Sequence, residues 1–293
     1  MAAATAAILV RTFMFHLGLT LIPATILAAI LRRRWMFAAA GLLAVVCLWP
    51  PTVARPSQNE SVADGRTITV MSVNLLGVNR RTQEMIEEIR AVNPDLLLLQ
   101  EYRPHWHEAF QSASFARDYP HNYQVIRPDN FGQAVYSRRP CVPRADDGAF
   151  PERIRTPYTR FEIRIGEREA AVYNVHLAPP AGVTASLRQR LEFADLLESA
   201  GAETVPTIIA GDFNFTNAAP FANELARLGL IDTHLLIGAG RGSTWPNFRR
   251  YRWAPGLRLD HVFISNEWTS LQSGTGAGPG SDHRPVITKL RLK

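Results

Sequence analysis

The decapeptide VPTIIAGDFN at 205–214 decides the fold. Val205–Gly211 is a short apolar, β-branched run, the mark of a core strand, and it ends on a Gly-Asp-Phe-Asn turn. Working upstream, Phe161–Ile165 and Glu169–His176 alternate around Gly166-Glu167, the form of a β-hairpin. Between hairpin and core strand, Ser186–Ala200 reads as an amphipathic helix whose inner side is Leu187, Leu191, Ala194 and Leu196/Leu197. The same sequence of elements occurs earlier. Thr67–Asn74 (TITVMSVN) is a buried strand and Thr82–Val92 a helix with Thr82 as N-cap, stopped by Asn93-Pro94. Asp95–Glu101 (DLLLLQE) is a core strand, and His121–Ile126 and Gly132–Ser137 are two more. Downstream come a short helix at Pro220–Leu228 and late strands at Leu257–Ser265 and Arg284–Arg291. Strand–helix–strand units joined to hairpins, met twice, predict two packed sheets with helices outside, in one domain over 67–293.

With 46% hydrophobic and 20% charged residues, the 293-residue chain is neither disordered nor fibrous. The net charge of +6 is unevenly spread. Residues 1–50 hold four of the 32 basic side chains (Arg11, Arg32, Arg33, Arg34) and no acid, which leaves 28 basic against 26 acidic residues beyond. On charge alone the large domain is therefore not a basic nucleic-acid module. Cys47 and Cys141 are not expected to pair, and no thiolate metal motif is present.

Thr12–Leu31 runs twenty residues without a formal charge, enough for a helix across a hydrocarbon core of roughly 30 Å. After Arg32–Arg34, a second apolar stretch runs from Trp35 to Trp49. Residues 1–50 are thus expected to form a transmembrane hairpin, with 12–49 in the bilayer and 51–66 as a Pro- and Gly-containing linker. Arginines between two spans stay cytoplasmic, which would put the catalytic domain on the extracytoplasmic side of a plasma or inner membrane. The competing reading is a secretory signal cleaved near Thr52-Val53-Ala54.

The strand ends carry polar side chains of one chemical kind: Asn74, Gln100-Glu101, His176, Asp212 with Asn214, Asp260-His261 and Ser281-Asp282-His283. Taken singly, each is a common turn residue or strand terminus. Together, MSVNLL at 71–76, LLLLQE at 96–101, YNVHL at 173–177, IIAGDFN at 208–214, LDHVFIS at 259–265 and SDHRPV at 281–286 resemble the endonuclease/exonuclease/phosphatase superfamily. That superfamily includes DNase I, exonuclease III-type repair nucleases, neutral sphingomyelinases and inositol-polyphosphate 5-phosphatases.

The resemblance implies a four-layer α/β-sandwich that hydrolyses phosphate esters with a divalent metal. It implies Glu101 as the principal ligand with Asn74 beside it, and Asp282 on the same ion or a second one. Oxygen ligands point to Mg²⁺ or Mn²⁺. It also implies His283 as the base, oriented by Asp260, with Asp212 and Asn214 holding nucleophile and phosphate. His176 would bond a phosphate oxygen or protonate the leaving group. The family often has Tyr after the late-strand Asp. Here His261 stands there, and strand alternation turns it away from Asp260, as a structural residue.

Arg241–Arg258 interleaves five Arg with aromatics, and Arg249, Arg250, Arg252 and Trp245 are candidate substrate contacts. The ester could belong to nucleic acid or to a phospholipid or sphingomyelin head group. The contrasting class is a catalytically silent, membrane-tethered binding module on the same fold, whose signature would be loss of Glu101, Asp212, Asp260 or His283; all four are present. A serine hydrolase lacks its GxSxG elbow. No obligate protein partner is inferred.

Overall fold

In a strand, successive side chains point to opposite faces, and that alternation sets the layers here. The computed structural model describes residues 10, 12–48, 66–143, 158–248 and 255–293. In chain order the elements are α1 (Met14–Ile30), α2 (Arg34–Leu48), β1 (Thr67–Asn74), α3 (Thr82–Val92), β2 (Leu96–Gln100), α4 (Pro104–Phe110) and α5 (Ala113–Asp118). There follow β3 (His121–Val125), β4 (Gln133–Ser137), β5 (Cys141–Pro143), β6 (Thr159–Ile165), β7 (Arg168–His176), α6 (Val183–Gly201) and β8 (Thr207–Asp212). The chain ends with α7 (Pro220–Arg227), β9 (Ile231–Asp232), α8 (Thr233–Ile237), β10 (Asp260–Ile264), β11 (Trp268–Thr275) and β12 (Val286–Leu292).

Two six-stranded sheets result, ordered β11-β12-β1-β2-β4-β3 and β5-β6-β7-β8-β10-β9. Each contains one parallel pair, β1–β2 and β7–β8, and a parallel pair needs a crossover; α3 and α6 supply them. The sheets share a core of inward residues: Ile68, Val70, Leu96 and Leu98 from one, Val172, Ile208, Ala210 and Val262 from the other. The alternate residues face outward. Met71, Val73, Leu97 and Leu99 pack with Met85, Ile86, Trp106 and Phe115 of α3–α5. Ala171, Tyr173 and Ile209 pack with Phe193 and Leu196 of α6 and Leu225 of α7. This is the expected helix–sheet–sheet–helix sandwich.

Three expectations change. Leu187 and Leu191 of α6 are exposed, and the buried face is instead Ser186, Gln189, Glu192, Phe193, Leu196 and Ala200. Two of its polar members bond backbone: the Glu192 carboxylate accepts from Ala178 N at 2.7 Å, and Gln189 donates to the carbonyls of Phe213 and Asn214 at 3.2 and 3.0 Å. Thr82 is the first helical residue of α3 and not its N-cap, which is Arg81 without a side-chain cap bond.

The third change concerns the membrane hairpin. α1 and α2 do pack on each other. However, they span 17 and 15 residues, about 25 and 22 Å at 1.5 Å per residue, short of a hydrocarbon core of roughly 30 Å. Among the described residues no helix is long and apolar enough to cross a membrane. The uncharged run overstated the helix because Phe13 precedes it and Leu31 is already its C-cap. Residues 51–65, with the possible cleavage site, lie outside the described residues. Both cysteines are free, and burial pushes the Cys141 thiol up to about 11.

Two contacts hold the chemistry-bearing strands in place. A Cβ on Gly211 would lie 1.9 Å from the Val175 carbonyl oxygen, so only glycine lets β8 approach β7 at that point. On the outer side of β10, His261 Nδ1 is 2.8 Å from Asp232 Oδ2 and its Nε2 donates to Phe215 O at 2.9 Å, while Arg258 donates to both Asp232 oxygens. His261 is structural, as alternation predicts. Burial works against the Asp232 charge, but Arg258 and His261 overcome it and hold the carboxyl well below its ordinary range.

Gly211→Ala is therefore expected to cost about 3 kcal/mol or more through overpacking at a strained position, while Gly274→Ala, with open space around it, stays within about 0.5 kcal/mol. Urea midpoints of the two variants check this. Asp232→Asn is expected to cost about 3–5 kcal/mol, because it leaves Arg258 buried without its counter-charge. A depressed folded-state pKa contributes stability above the unfolded value, near pH 4, and loses it as pH falls below that. The wild-type advantage over Asp232→Asn should accordingly shrink in acid unfolding measurements.

Candidate active site

The inward faces that build the core from Ile68, Val70, Leu98, Val172 and Ala210 turn polar at one end of the sandwich. There β1 ends in Ser72 and Asn74, β2 in Gln100, β7 in Asn174 and His176, and β8 in Asp212, while β10 begins with Asp260. Register lines these up. Asn74 pairs with Gln100 in one sheet; in the other, His176 pairs with Asp212 and Asp212 with Asp260. The two rows are tied across the sandwich. Gln100 Nε2 donates to Asn174 Oδ1 at 2.6 Å and to Ser72 Oγ at 3.1 Å, and Asn74 Nδ2 donates to Asp212 Oδ2 at 3.0 Å.

Above this floor is a cleft of about 450 Å³. Glu101 follows β2 in the left-handed region, at φ 57°, a turn that swings its carboxylate out of strand alternation. Its Oε2 accepts from Gly77 N at 2.6 Å and its Oε1 from Asn74 Nδ2 at 3.2 Å. Burial lifts the Glu101 pKa, and the bonds from Gly77 and Asn74 oppose that rise. Asp282 and His283 arrive on the loop before β12. Ser281 Oγ donates to Asn74 O at 2.7 Å and accepts from His283 N at 3.0 Å, and Asn247 N donates to Asp282 O at 2.7 Å. Asp282 Oδ2 accepts from Trp245 Nε1 at 3.3 Å; its Oδ1 is buried and has no partner among the described residues.

His283 and Asp260 form a buried pair, with Nδ1 2.7 Å from Oδ2. The other ring nitrogen, Nε2, is 3.7 Å from Asp212 Oδ2, and His176 Nε2 stands 3.8 Å from that same oxygen. Burial penalises the His283 imidazolium, but Asp260 and Asp212 outweigh it and hold its pKa above the ordinary value. Burial drives His176 the other way, towards the neutral ring. Asp212 is pushed up by burial, with Asp260 adding to the rise and His283 and His176 opposing it. Asn214, at φ 51°, donates its backbone N–H to Asp212 Oδ1 at 2.9 Å and its side-chain amide to Leu177 O at 2.9 Å.

Of the candidate residues, Asn74, Glu101, His176, Asp212, Asn214, Trp245, Asp282 and His283 line this one cleft, and Asp260 lies behind His283. Trp245 holds Asp282. Arg249, Arg250 and Arg252 lie outside the described residues. Two groups of side chains have ligand-type atoms. Asp212, Asp260 and His283 bring theirs within 4.8 Å of one another. In that group, however, His283 Nδ1 is already bonded to Asp260, whereas the unpartnered Asp282 Oδ1 and the Glu101 carboxylate are oxygen donors suited to a hard divalent cation.

Residues that the sequence reading missed also shape the cleft. Phe131 packs against the His176 ring at 5.6 Å and is covered by the Arg188 guanidinium at 4.6 Å. It sits in a turn between strands, where no periodicity marks it. Gln189 was legible in principle: 189, 192, 193, 196 and 200 follow helical spacing, but the first two are polar. Thr12 and Phe13, from the start of the N-terminal hairpin, line the cleft as well.

Comparison with known proteins agrees with this geometry. No curated protein matches the chain in sequence. Among solved structures, an endonuclease/exonuclease/phosphatase from Beutenbergia cavernae DSM 12333 is similar at 20% identity and TM-score 0.55, over 78% of this chain and 72% of its own. The 3′ phosphatase NExo from Neisseria, bound to a product DNA hairpin, shares 17% identity at TM-score 0.60, over 77% and 99% of the two chains. The AP endonuclease LMAP from Leishmania major shares 15% at TM-score 0.61, over 83% and 94%. These likenesses show a common fold. The family model for the endonuclease/exonuclease/phosphatase family matches residues 71–283, which is most of the chain and contains every catalytic and metal-ligand candidate, and the protein belongs to that family.

Proposed function

We propose that the chain is a divalent-metal-dependent phosphoesterase that hydrolyses a phosphodiester by attack of water. The observation that carries this reading is the His283–Asp260 pair at 2.7 Å, with the free Nε2 directed towards Asp212 in a cleft that also holds Glu101 and the unpartnered Asp282 oxygen. The nuclease and phosphatase relatives of the fold support it. A silent binding module would have no need of all four residues Glu101, Asp212, Asp260 and His283 in these positions.

The roles follow from the contacts. Asp260, on Nδ1, fixes the His283 tautomer and balances the imidazolium, so that Nε2 takes the proton of the attacking water. Asp212 lies between His283 and His176 and orients the water. It is itself held by Asn74 and by the Asn214 backbone. His176, neutral and buried, donates a hydrogen bond to a phosphate oxygen. Water adds to phosphorus and the ester P–O bond breaks; the proton taken up by His283 is released to solvent, and the leaving oxygen takes one from solvent. Glu101 and Asp282, with Asn74 alongside, would hold Mg²⁺ or Mn²⁺. That ion would neutralise the phosphate and the departing alkoxide, and would offset Asp282, the weakest of the three carboxylates that raise the His283 pKa. The apolar N-terminal hairpin supports attachment to a lipid bilayer.

EDTA is expected to abolish hydrolysis of bis-p-nitrophenyl phosphate and Mg²⁺ or Mn²⁺ to restore it; Glu101→Ala should lose roughly 10³-fold in kcat while keeping its circular dichroism and melting temperature. Full turnover in EDTA would remove the metal from the mechanism.

A second test addresses the pair. His283→Ala should lower kcat by roughly 10²–10⁴-fold, Asp260→Asn should cost much of the same, and the double variant little more than His283→Ala alone. Losses that multiply would show that the two residues act independently.

A further inference from the structure

We infer that the phosphoester belongs to an amphiphile embedded in a lipid bilayer, its head group entering the cleft past Phe13 and its hydrocarbon part lying along the α1–α2 hairpin. This rests on the hydrolytic reading above and names its substrate class.

The first observation is the hairpin's surface. Ile30, Leu31, Trp35, Met36 and Leu42 are each at least 60% exposed, and Ile26, Leu27, Val45 and Val46 are more than half exposed. A helix pair apolar on every side is matched to lipid, because a monomer in water does not leave so large an apolar surface open. A second copy of the chain would cover one stripe and leave the other faces wet. Arg32–Arg34 at the turn add attraction to anionic head groups.

The second observation is where the hairpin is attached. His16 Nε2 donates to Pro255 O at 2.7 Å, and the Arg241 guanidinium lies 3.7 Å from the centre of the Phe15 ring. These contacts bring Thr12 and Phe13 to the wall of the cleft that holds Glu101, His176 and His283. The lipid-matched surface and the mouth of the site are therefore continuous.

The third is the character of the cleft. Its walls are Phe13, Phe131, Pro179, Pro180, Phe215 and Leu257 over a polar floor. Apolar walls around a polar floor suit one phosphate carried on an apolar body.

The test uses the full chain with Mg²⁺ and compares kcat/KM for four probes. These are vesicles of equal parts phosphatidylcholine and phosphatidylglycerol, the acyl-free glycerophosphodiesters of the same head groups, a single-stranded oligonucleotide, and bis-p-nitrophenyl phosphate. Vesicle lipid should be hydrolysed at least ten-fold faster than its acyl-free counterpart and faster than the oligonucleotide. The combined substitutions Ile30→Gln, Leu31→Gln and Leu42→Gln, remote from the cleft, should lower vesicle hydrolysis at least ten-fold and leave the bis-p-nitrophenyl phosphate rate unchanged. Equal rates on acylated and acyl-free esters, or preference for the oligonucleotide, overturn the inference. Turnover of bis-p-nitrophenyl phosphate without any lipid hydrolysis refutes the substrate class and leaves the hydrolytic reading standing; no turnover of any probe refutes both.

Discussion

Everything in the catalytic domain depends on two sheets meeting face to face with side chains that alternate in and out. Ile68 and Val70 point into the shared core, so Ser72 and Asn74 must do so too; Ile208 and Ala210 commit Asp212 in the same way. The apolar part of each strand thus aims the polar residue at its end. Where inward positions cease to be apolar, the two sheets are joined by hydrogen bonds, Gln100 to Asn174 and Asn74 to Asp212. A one-residue slip of β8 would turn Asp212 outward and bring Gly211 in, losing core and site together. The close approach of Gly211 to Val175 excludes any side chain on that glycine at the present register.

This coupling explains what could be read from the sequence. The strands and the residues at their ends follow from alternation and apolar runs, and β1 begins and ends at Thr67 and Asn74 as expected. His261 is another case: Asp260 and His261 are adjacent in sequence and on opposite faces of β10, one behind His283 and the other bonded to Asp232. The inner side of α6 was misread for a physical reason. Hydrophobic periodicity assumes that a buried face packs on side chains, and this one also serves backbone N–H and carbonyl groups at Ala178, Phe213 and Asn214 through Glu192 and Gln189. Phe131 was illegible because a turn has no period. The transmembrane hairpin was overestimated because a run of uncharged residues does not by itself give a helix's length.

The two buried His–carboxylate pairs show how neighbours assign different roles to one chemistry. Asp232 and His261 have every partner they can use: Arg258 on the carboxylate, Phe215 O on the far nitrogen. That pair is closed, and it fixes β10 beside β9. His283 has Asp260 on Nδ1 only, and its Nε2 meets the cleft. Three buried polar atoms at this end have no partner among the described residues: Asp282 Oδ1, His176 Nδ1 and Gln100 Oε1. Leaving such groups unpaired costs about 1–3 kcal/mol each in a finished core. The contrast between His283, whose Nε2 faces the cleft, and His261, bonded on both nitrogens on the far face of β10, separates the two ends.

The hairpin takes part in the site through one short stretch. Residues 12–16 enter and open α1, bring His16 and Phe15 against Pro255 and Arg241, and give Thr12 and Phe13 to the cleft wall. Arg241 and Pro255 in turn flank the segment that leads through Leu257 to Asp260, and the Leu257 carbonyl accepts from the backbone N–H groups of Thr244 and Trp245. Trp245 carries the indole that holds Asp282. A displacement of the hairpin therefore reaches the oxygen donors of the site through a chain of direct contacts. The attachment of the hairpin to the sandwich and one wall of the cleft are thus set by the same short stretch of chain, residues 12–16.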